Sequence, residues 1–342
     1  DRRFLSKESA HWSAEVFAAL NIPVKMVNRS SPTPLIMYAV KQLDLPFGIA
    51  VTASHNPAIY NGMKVFTSGG CDARESVTKE IERYTANLES QPIPLLDYNE
   101  ALWKGVITEF NPLNSYIDSI LSLIDIQAIR KAGLRIALDP LYGVSQTSLR
   151  TILFTARCEV EVIHDGHDTL FGGQLPAPNE KTLETLSTCV KEHHYDLGIA
   201  TDGDADRLGV IDNHGNFVHP NKLLTLLYYY LLEYRGWSGP AVRNNSTTHI
   251  LDDVAAAYGQ ICYEVPVGFK YVAEKMSETG AIIGGESSGG LTVKGHIQGK
   301  DGIYAASLLI EMIAVTGKSL SVLYDEITDR FGKRYTREEE FH

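Results

Sequence analysis

Three clusters in this chain have residue types and spacings that could do chemistry. The segment "DGDADR" sets three carboxylates, Asp202, Asp204 and Asp206, at alternate positions with small residues between them. Their mutual repulsion is costly unless a cation neutralises it, and a hard divalent ion such as Mg²⁺ suits a set of oxygen ligands. An EF-hand opens with similar spacing but needs Gly at its sixth position and Glu at its twelfth, where Arg207 and Asn213 stand. A solvated acidic turn capping a helix would use the same residues. The adjacent Arg207 presents a fork of donors suited to phosphate, which favours an anionic ligand beside the ion.

The second cluster is "VTASHNPAIYNGMKVF", where a strand-like start runs into Ser54 and His55, with Lys64 further along. Serine at such a place is commonly a helix cap. Combined with an acidic metal loop and cationic side chains, it becomes a hydroxyl that can carry a phosphoryl group. The third cluster is "GGESSGG", in which Glu286 and Ser288 offer an acceptor and a mixed donor and acceptor for the vicinal hydroxyls of a sugar. A flexible turn with a polar tip is the competing reading. "VPVGFK" adds Gly268 and Lys270, and "GHIQGKDG" adds His296, Lys300 and Asp301, all in loop-like sequence. Neither GxxxxGK[ST] nor a GxGxxG following a strand occurs, and there is no GxSxG elbow, so nucleotide and ester-hydrolase sites lack support.

The elements that must position these clusters alternate between strand and helix. "PFGIAVTAS" and "YDLGIAT" read as strands that lead directly into the serine and acidic loops, and "LRIALDPLYG" and "CEVEVIHD" as further strands separated by helical stretches. "DARESVTKEIERYTANLES" is a charged amphipathic helix, "QPIPLLDYNEALWKG" breaks the pattern with prolines and a glycine, and "NPLNSYIDSILSLID" reads as a capped linker helix. A third stretch, from "KLLTLLYYYLLEYRG" through "HILDDVAAAYG" to "DGIYAASLLIEMIAVTG", repeats the rhythm. The expectation is an α/β protein: consecutive α/β domains with mixed, mostly parallel sheets flanked by helices. The boundaries fall at 1–113, 114–220 and 221–342, and sites belong at the carboxyl ends of strands.

A chain of 342 residues, 44% hydrophobic and 21% charged, buries substantial cores and is neither disordered nor fibrous. The net charge of −11 speaks against nucleic acid and anionic membranes as partners, and no apolar run is long enough for a membrane span. Four cysteines without a CxxC pair, and no signal peptide, fit free thiols in a reducing, cytoplasmic setting. Nothing in the sequence sets the oligomeric state.

Taken together and in this order, "TASHNP", "DGDADR" and "GESSG" resemble the phosphoserine, magnesium and sugar-recognition loops of the α-D-phosphohexomutases, the phosphoglucomutase and phosphomannomutase superfamily. The resemblance extends over essentially the whole chain. It implies that Ser54 carries a phosphate and passes it to a hexose phosphate. The product is a bound bisphosphate, glucose 1,6-bisphosphate serving as intermediate and activator, and Ser54 then retrieves the other phosphate. It further implies Mg²⁺ held by Asp202, Asp204, Asp206 and the phosphoserine, with Arg207, Lys64 and His55 near that phosphate. Glu286 and Ser288 would read sugar hydroxyls, with Gly268, Lys270 and His296 as further substrate contacts. In one branch a histidine follows the Ser-Gly of the sugar loop; here Gly290 stands there, so the proton-transfer role moves to Lys300, with His296 behind it.

"VGFK" and "KDGIYAA" resemble the phosphoglucomutase side, so interconversion of glucose 1-phosphate and glucose 6-phosphate is the first expectation. Val265, where many relatives have threonine, keeps a phosphomannomutase or dual-specificity enzyme close behind. Family members add an opening glycine- and arginine-containing motif and a fourth domain with an Arg-x-Ser-Gly-Thr loop. Neither motif occurs within the 342 residues, so the expectation is a first domain, 1–113, without its opening portion and a fourth domain absent. The chain is therefore expected to fold and bind Mg²⁺ but turn over poorly by itself. A noncatalytic sugar-phosphate-binding module and a magnesium-dependent phosphatase are the competing classes.

Overall fold

Strand Leu197–Thr201 is buried along its whole length, as a strand covered on both faces must be, and it runs straight into the acidic cluster. In the computed structural model, which describes residues 1–88 and 92–334, this strand is central to a four-stranded sheet. Arg135–Asp139 lies parallel beside it with Glu159–Val162 beyond, and Leu208–Ile211 closes the other edge antiparallel. A second four-stranded sheet repeats this arrangement. Ala241–Asn244 pairs in parallel with Cys262–Val265 and with Ile283–Gly285, and Leu291–Val293 closes the edge antiparallel.

The first part of the chain is built differently. Phe47–Val51, Met63–Thr67 and Cys71–Asp72 form an antiparallel three-stranded sheet, and Val24–Val27 pairs in parallel with Ile107–Phe110. The mostly parallel pattern thus describes the two later sheets, flanked by helices such as Gln146–Thr155, Glu184–His193 and Ile250–Ala257. The stretch read as a break holds a short helix, Tyr98–Trp103, because the Asp97 side chain accepts from the Glu100 N–H and caps it. Asn111, just outside helix Leu113–Leu121, accepts from the Leu113 N–H and starts that helix. The ends of the expected helix at 72–90 and of the proline-broken stretch, together with "TREEEFH", fall partly or wholly outside the described residues.

One large core joins the second and third parts. Leu149, Ile152, Ile199 and Val210 pack in the same cluster as Leu224, Leu227, Leu308 and Leu309. The helices Pro220–Glu233 and Gly302–Thr316 are buried nearly all round, which explains their unbroken apolar composition. No single helix among the described residues is long and apolar enough to cross a membrane. All four cysteines are free thiols.

Candidate active site

Each of the three chemical clusters is the turn of an antiparallel hairpin. Residues 52–62 join the paired strands Phe47–Val51 and Met63–Thr67, residues 202–207 join Leu197–Thr201 and Leu208–Ile211, and residues 286–290 join Ile283–Gly285 and Leu291–Val293. The acidic and sugar loops therefore occupy the same place in two sheets of the same topology. They also meet. Arg207 and Gly290 form an isolated antiparallel bridge, the Leu208 N–H donates to Gly289 O at 3.1 Å, and the Gly302 N–H donates to Ala205 O at 3.1 Å. Gly289, at φ 90°, is required here, since a Cβ would meet Leu208 O at 2.8 Å.

Ser54 is brought to the acids from the other side. It sits in the left-handed region at φ 52°, is 7% exposed, and its Oγ donates to Asp202 Oδ2 at 2.8 Å. Such a backbone persists only where surroundings over-determine it, and here they do. The buried Arg3 guanidinium donates to the carbonyls of Ser54, Asn56, Pro57 and Tyr60 at 2.7–3.0 Å, while its Nε pairs with Asp1. The Ser54 N–H is satisfied by Thr52 Oγ1 at 2.8 Å. His55 Nδ1 lies 3.4 Å from Ser54 Oγ. Burial, then the charge of Arg207, push the His55 pKa down to about 4, so the ring is neutral at pH 7.

Around the acids the cations are placed with equal economy. Lys64 Nζ donates to Asp204 Oδ2 at 2.6 Å and Asp206 Oδ2 at 2.7 Å, and Lys300 Nζ lies 3.1 Å from Asp206 Oδ2. Thr33 donates to Asp204 Oδ2 at 2.7 Å, and the Arg207 N–H to Asp202 Oδ1 at 3.0 Å. Burial opposes charge on all three carboxylates. For Asp202, burial and then the neighbouring carboxylates hold its pKa well above the usual range. Asp204 and Asp206 also feel that burial, but Lys64, joined by Lys300 at Asp206, pulls both below the usual range. Those same acids overcome the burial of Lys64 and raise its pKa.

The acids fit a divalent cation on an observation of their own. One oxygen from each of the three lies within 4.8 Å of the others, and Asp204 Oδ1 and Asp206 Oδ1 are buried without any hydrogen-bond partner. Orphaned anionic oxygens in a buried site need a cation to offset their desolvation. With one bound, the neutral form of Asp202 would no longer be favoured.

Ser54, His55, Lys64, Arg207 and Lys300 line one cleft of about 600 Å³. Glu286, Ser288, Gly268 and Lys270 stand outside that lining. Glu286 Oε1 accepts from the Gly268 N–H at 3.1 Å and from Asn244 Nδ2 at 3.0 Å, so the "VGFK" and "GESSG" loops are fastened together. Ser288 is exposed, and Lys270 Nζ pairs with Glu75 of the first part at 2.8 Å. His296 is buried against Asp301 at 3.0 Å, among Tyr38, Tyr116 and Tyr304, and faces the packing behind Lys300 rather than the cleft. Sequence reading passed over Arg3, Thr33 and Asn244. For Thr33 the "SPTP" frame offered a signal, whereas nothing local to "DRRF" marks Arg3 as a clamp for residues fifty positions away.

Comparison with known proteins agrees with this geometry. The chain matches the three phosphoglucomutase/phosphomannomutase alpha/beta/alpha domain profiles, domain I over residues 1–92, domain II over 114–215 and domain III over 219–331. A candidate phosphomannomutase from Thermus thermophilus superposes with a TM-score of 0.89 at 30% identity, covering 97% of this chain and 74% of that one. The chain belongs to the phosphoglucomutase/phosphomannomutase superfamily.

Among curated relatives, a Thermococcus kodakarensis phosphoglucomutase/phosphomannomutase is 31% identical over 87% of this chain. A Sulfurisphaera tokodaii phosphoglucosamine/phosphogalactosamine mutase is 30% identical over 87%. The chain spans 64% and 65% of the lengths of these two relatives. A Paramecium phosphoglucomutase, pp63/parafusin in its open form, shares the fold at 22% identity and a TM-score of 0.86, covering 97% of this chain and 66% of that one.

Proposed function

We propose that this chain carries the phosphoserine, metal and sugar-reading parts of a phosphohexomutase. The observation that supports it most directly is the 2.8 Å contact between Ser54 Oγ and Asp202, beside two acid oxygens that accept no hydrogen bond and the basic side chains of Lys64, Lys300 and Arg207. Asp202, Asp204 and Asp206 would hold Mg²⁺, which when bound supplies charge neutralisation for a transferring phosphoryl group.

The rest falls to the chain's own residues. In the phosphorylated enzyme the bond from phosphorus to Ser54 Oγ breaks as a bond to a sugar hydroxyl oxygen forms. The hydroxyl proton passes to a base, for which the free-amine form of Lys300 is proposed, and Ser54 Oγ departs as an oxyanion stabilised by Lys64 and Arg207. Transfer in the reverse sense, from the other end of the bisphosphate, restores phosphoserine and leaves the isomeric monophosphate. Neutral His55 and the Arg3 clamp hold Ser54 in place, and Glu286 and Ser288 read sugar hydroxyls. Excluding water from the cleft separates this chemistry from a phosphatase.

For substrate, a phosphomannomutase or dual-specificity phosphohexomutase is a better-supported reading than glucose phosphate alone. Relatives at 31% and 30% identity carry names from the glucose/mannose and the glucosamine/galactosamine sides respectively, and epimers differ by a single hydroxyl. The test is intact-mass analysis of the complete gene product with glucose 1,6-bisphosphate and Mg²⁺, repeated with Ser54→Ala, and a turnover panel of glucose, mannose and glucosamine phosphates. A gain of one phosphoryl mass that disappears in Ser54→Ala, with interconversion of monophosphates, supports the reading. Labelling that persists in Ser54→Ala refutes it.

A further inference from the structure

In the sheet that carries the 286–290 turn, the chain leaves the central strand Ala241–Asn244 for Cys262–Val265 on one side and then crosses to Ile283–Gly285 on the other. In such a sheet a ligand crevice opens at the carboxyl ends of the two strands whose following turns lead away in opposite directions. Here those ends are Asn244 and Gly285. Glu286 is the first residue past Gly285, and its Oε1 accepts from Asn244 Nδ2 at 3.0 Å, so the two turns are joined where the topology divides.

Asn244 is 2% exposed, and its amide is held in one orientation. Its Oδ1 accepts from the Ser246 N–H at 3.1 Å, from Ser246 Oγ at 2.9 Å and from Thr247 Oγ1 at 2.6 Å. A backbone N–H can only donate, so the Asn244 atom that meets it must be the oxygen, and Nδ2 is left to face Glu286. Glu286 Oε1 takes a second bond from the Gly268 N–H at 3.1 Å. Glu286 Oε2 accepts from no described group and is not among the buried oxygens that lack a partner, so it is open to solvent. One oxygen of this carboxylate is committed to the protein, and the other is available to a ligand.

We propose that Asn244 is a positioning residue that fixes the Glu286 carboxylate at this crevice and leaves Oε2 as the acceptor for a hexose hydroxyl. The proposal rests on the phosphohexomutase reading for the assignment of Glu286 to a sugar. A hydrogen bond from a neutral amide to a carboxylate is charge-assisted, and it holds direction as well as distance. Without the Asn244 donor, Glu286 keeps only the Gly268 N–H, about which its carboxylate can pivot, and an acceptor that is out of place loses binding. Ser246 and Thr247 thereby take part in sugar reading at one remove, by locking the amide that locks the acid.

The test is calorimetric titration of glucose 1-phosphate and of mannose 1-phosphate into the complete gene product with Mg²⁺. Asn244→Asp keeps the acceptor for Ser246 and Thr247 but sets a like charge in place of the donor that faces Glu286. Binding of both esters is expected to weaken about tenfold or more, as loss of a charge-assisted hydrogen bond implies, while the rise in melting temperature on adding Mg²⁺ stays that of the wild type. Thr247→Val loosens the amide without adding charge, and should weaken binding in the same direction by less. In a Glu286→Ala background, Asn244→Asp should cost less than about twofold more, because a residue that acts through Glu286 then has nothing to act on. Circular dichroism checks the fold of each variant, and if Asn244→Asp does not fold, Thr247→Val with and without Glu286→Ala decides. Wild-type affinity in Asn244→Asp, penalties that multiply in the double variant, or failure of the wild type to bind either ester overturns the proposal. The mutase reading fails separately: hexose phosphate binding that follows Asn244, with no phosphoryl mass gained on Ser54, refutes the phosphoserine reaction and leaves the placement of Glu286 standing.

Discussion

Lys300 occupies the space that a side chain at position 290 would need: a Cβ built on Gly290 meets Lys300 Cδ at 2.3 Å. A side chain at position 290 could be accommodated only if Lys300 moved. Lys300 is held from behind as well. Its neighbour Asp301 caps helix Gly302–Thr316 through the N–H groups of Ile303 and Tyr304 and accepts from the Tyr116 hydroxyl at 2.8 Å.

Gly290→Ala is therefore expected to push Lys300 away from Asp206. Turnover by the complete gene product should fall toward that of Lys300→Met, while the stability cost stays in the overpacking range of about 1–3 kcal/mol. Steady-state kinetics and urea unfolding check this. Unchanged kcat in Gly290→Ala would show that Lys300 carries no proton in the reaction.

Arg3→Ala removes the donor that meets four carbonyls of the serine loop. The buried Ser54 carbonyl then loses its partner, at about 1–3 kcal/mol where water cannot replace it, while the partly buried carbonyls of Asn56, Pro57 and Tyr60 lose theirs at less cost. The loop should relax from its left-handed geometry at Ser54, giving faster amide exchange and proteolysis across residues 54–60 and slower phosphoryl uptake. Mg²⁺ binding to the acids should change much less.

In the absence of metal, Lys64 is the main counter-charge for Asp204 and Asp206. Breaking such a buried pair typically costs about 3–5 kcal/mol, so Lys64→Met should be strongly destabilised in EDTA. Much of that loss should return on adding Mg²⁺, because a ligand at a hundred times its Kd stabilises by about 2.7 kcal/mol. Asp206→Asn should lose the Mg²⁺ response. Thermal melts with and without the ion measure both.

His164 Nδ1 sits 2.9 Å from the buried carboxylate of Asp139, and that hydrogen bond raises the imidazole pKa above its ordinary value, against a smaller opposing effect of burial. A raised folded-state pKa means that the pair's contribution to stability is fully present below about pH 6.5, the unfolded value, and is lost as pH rises through the folded value. His164→Asn should flatten the stability profile over that interval in chemical denaturation. The effect reaches the site because the Tyr142 N–H donates to His164 O, and the turn it belongs to packs Gly143 against Gly203.

What could be read in advance followed local rules. "LGIAT" is a strand because it is short, apolar and β-branched in part, and "DGDADR" stood out because no packed interior tolerates three such acids without counter-charges. The hairpin equivalence of the acidic and sugar loops was not legible, since the two turns share no residues and only the pairing order of their sheets relates them. Arg3 and Thr33 act across the chain on Ser54 and Asp204, and a contact of that separation leaves no local periodicity to detect. His296 illustrates the reverse. A histidine in a polar glycine loop suggests a ligand-facing ring, but the fold turns it inward to brace Asp301.

Because the two four-stranded sheets share one strand order and put their closing turns at the same corner, the acidic turn and the 286–290 turn are equivalent pieces of a repeated architecture. They are also fastened to each other, since Arg207 bridges Gly290 and the Leu208 N–H donates to Gly289 O. Grafting another family member's 286–290 turn onto this framework must therefore keep glycine at both positions if the acid corner is to stay intact.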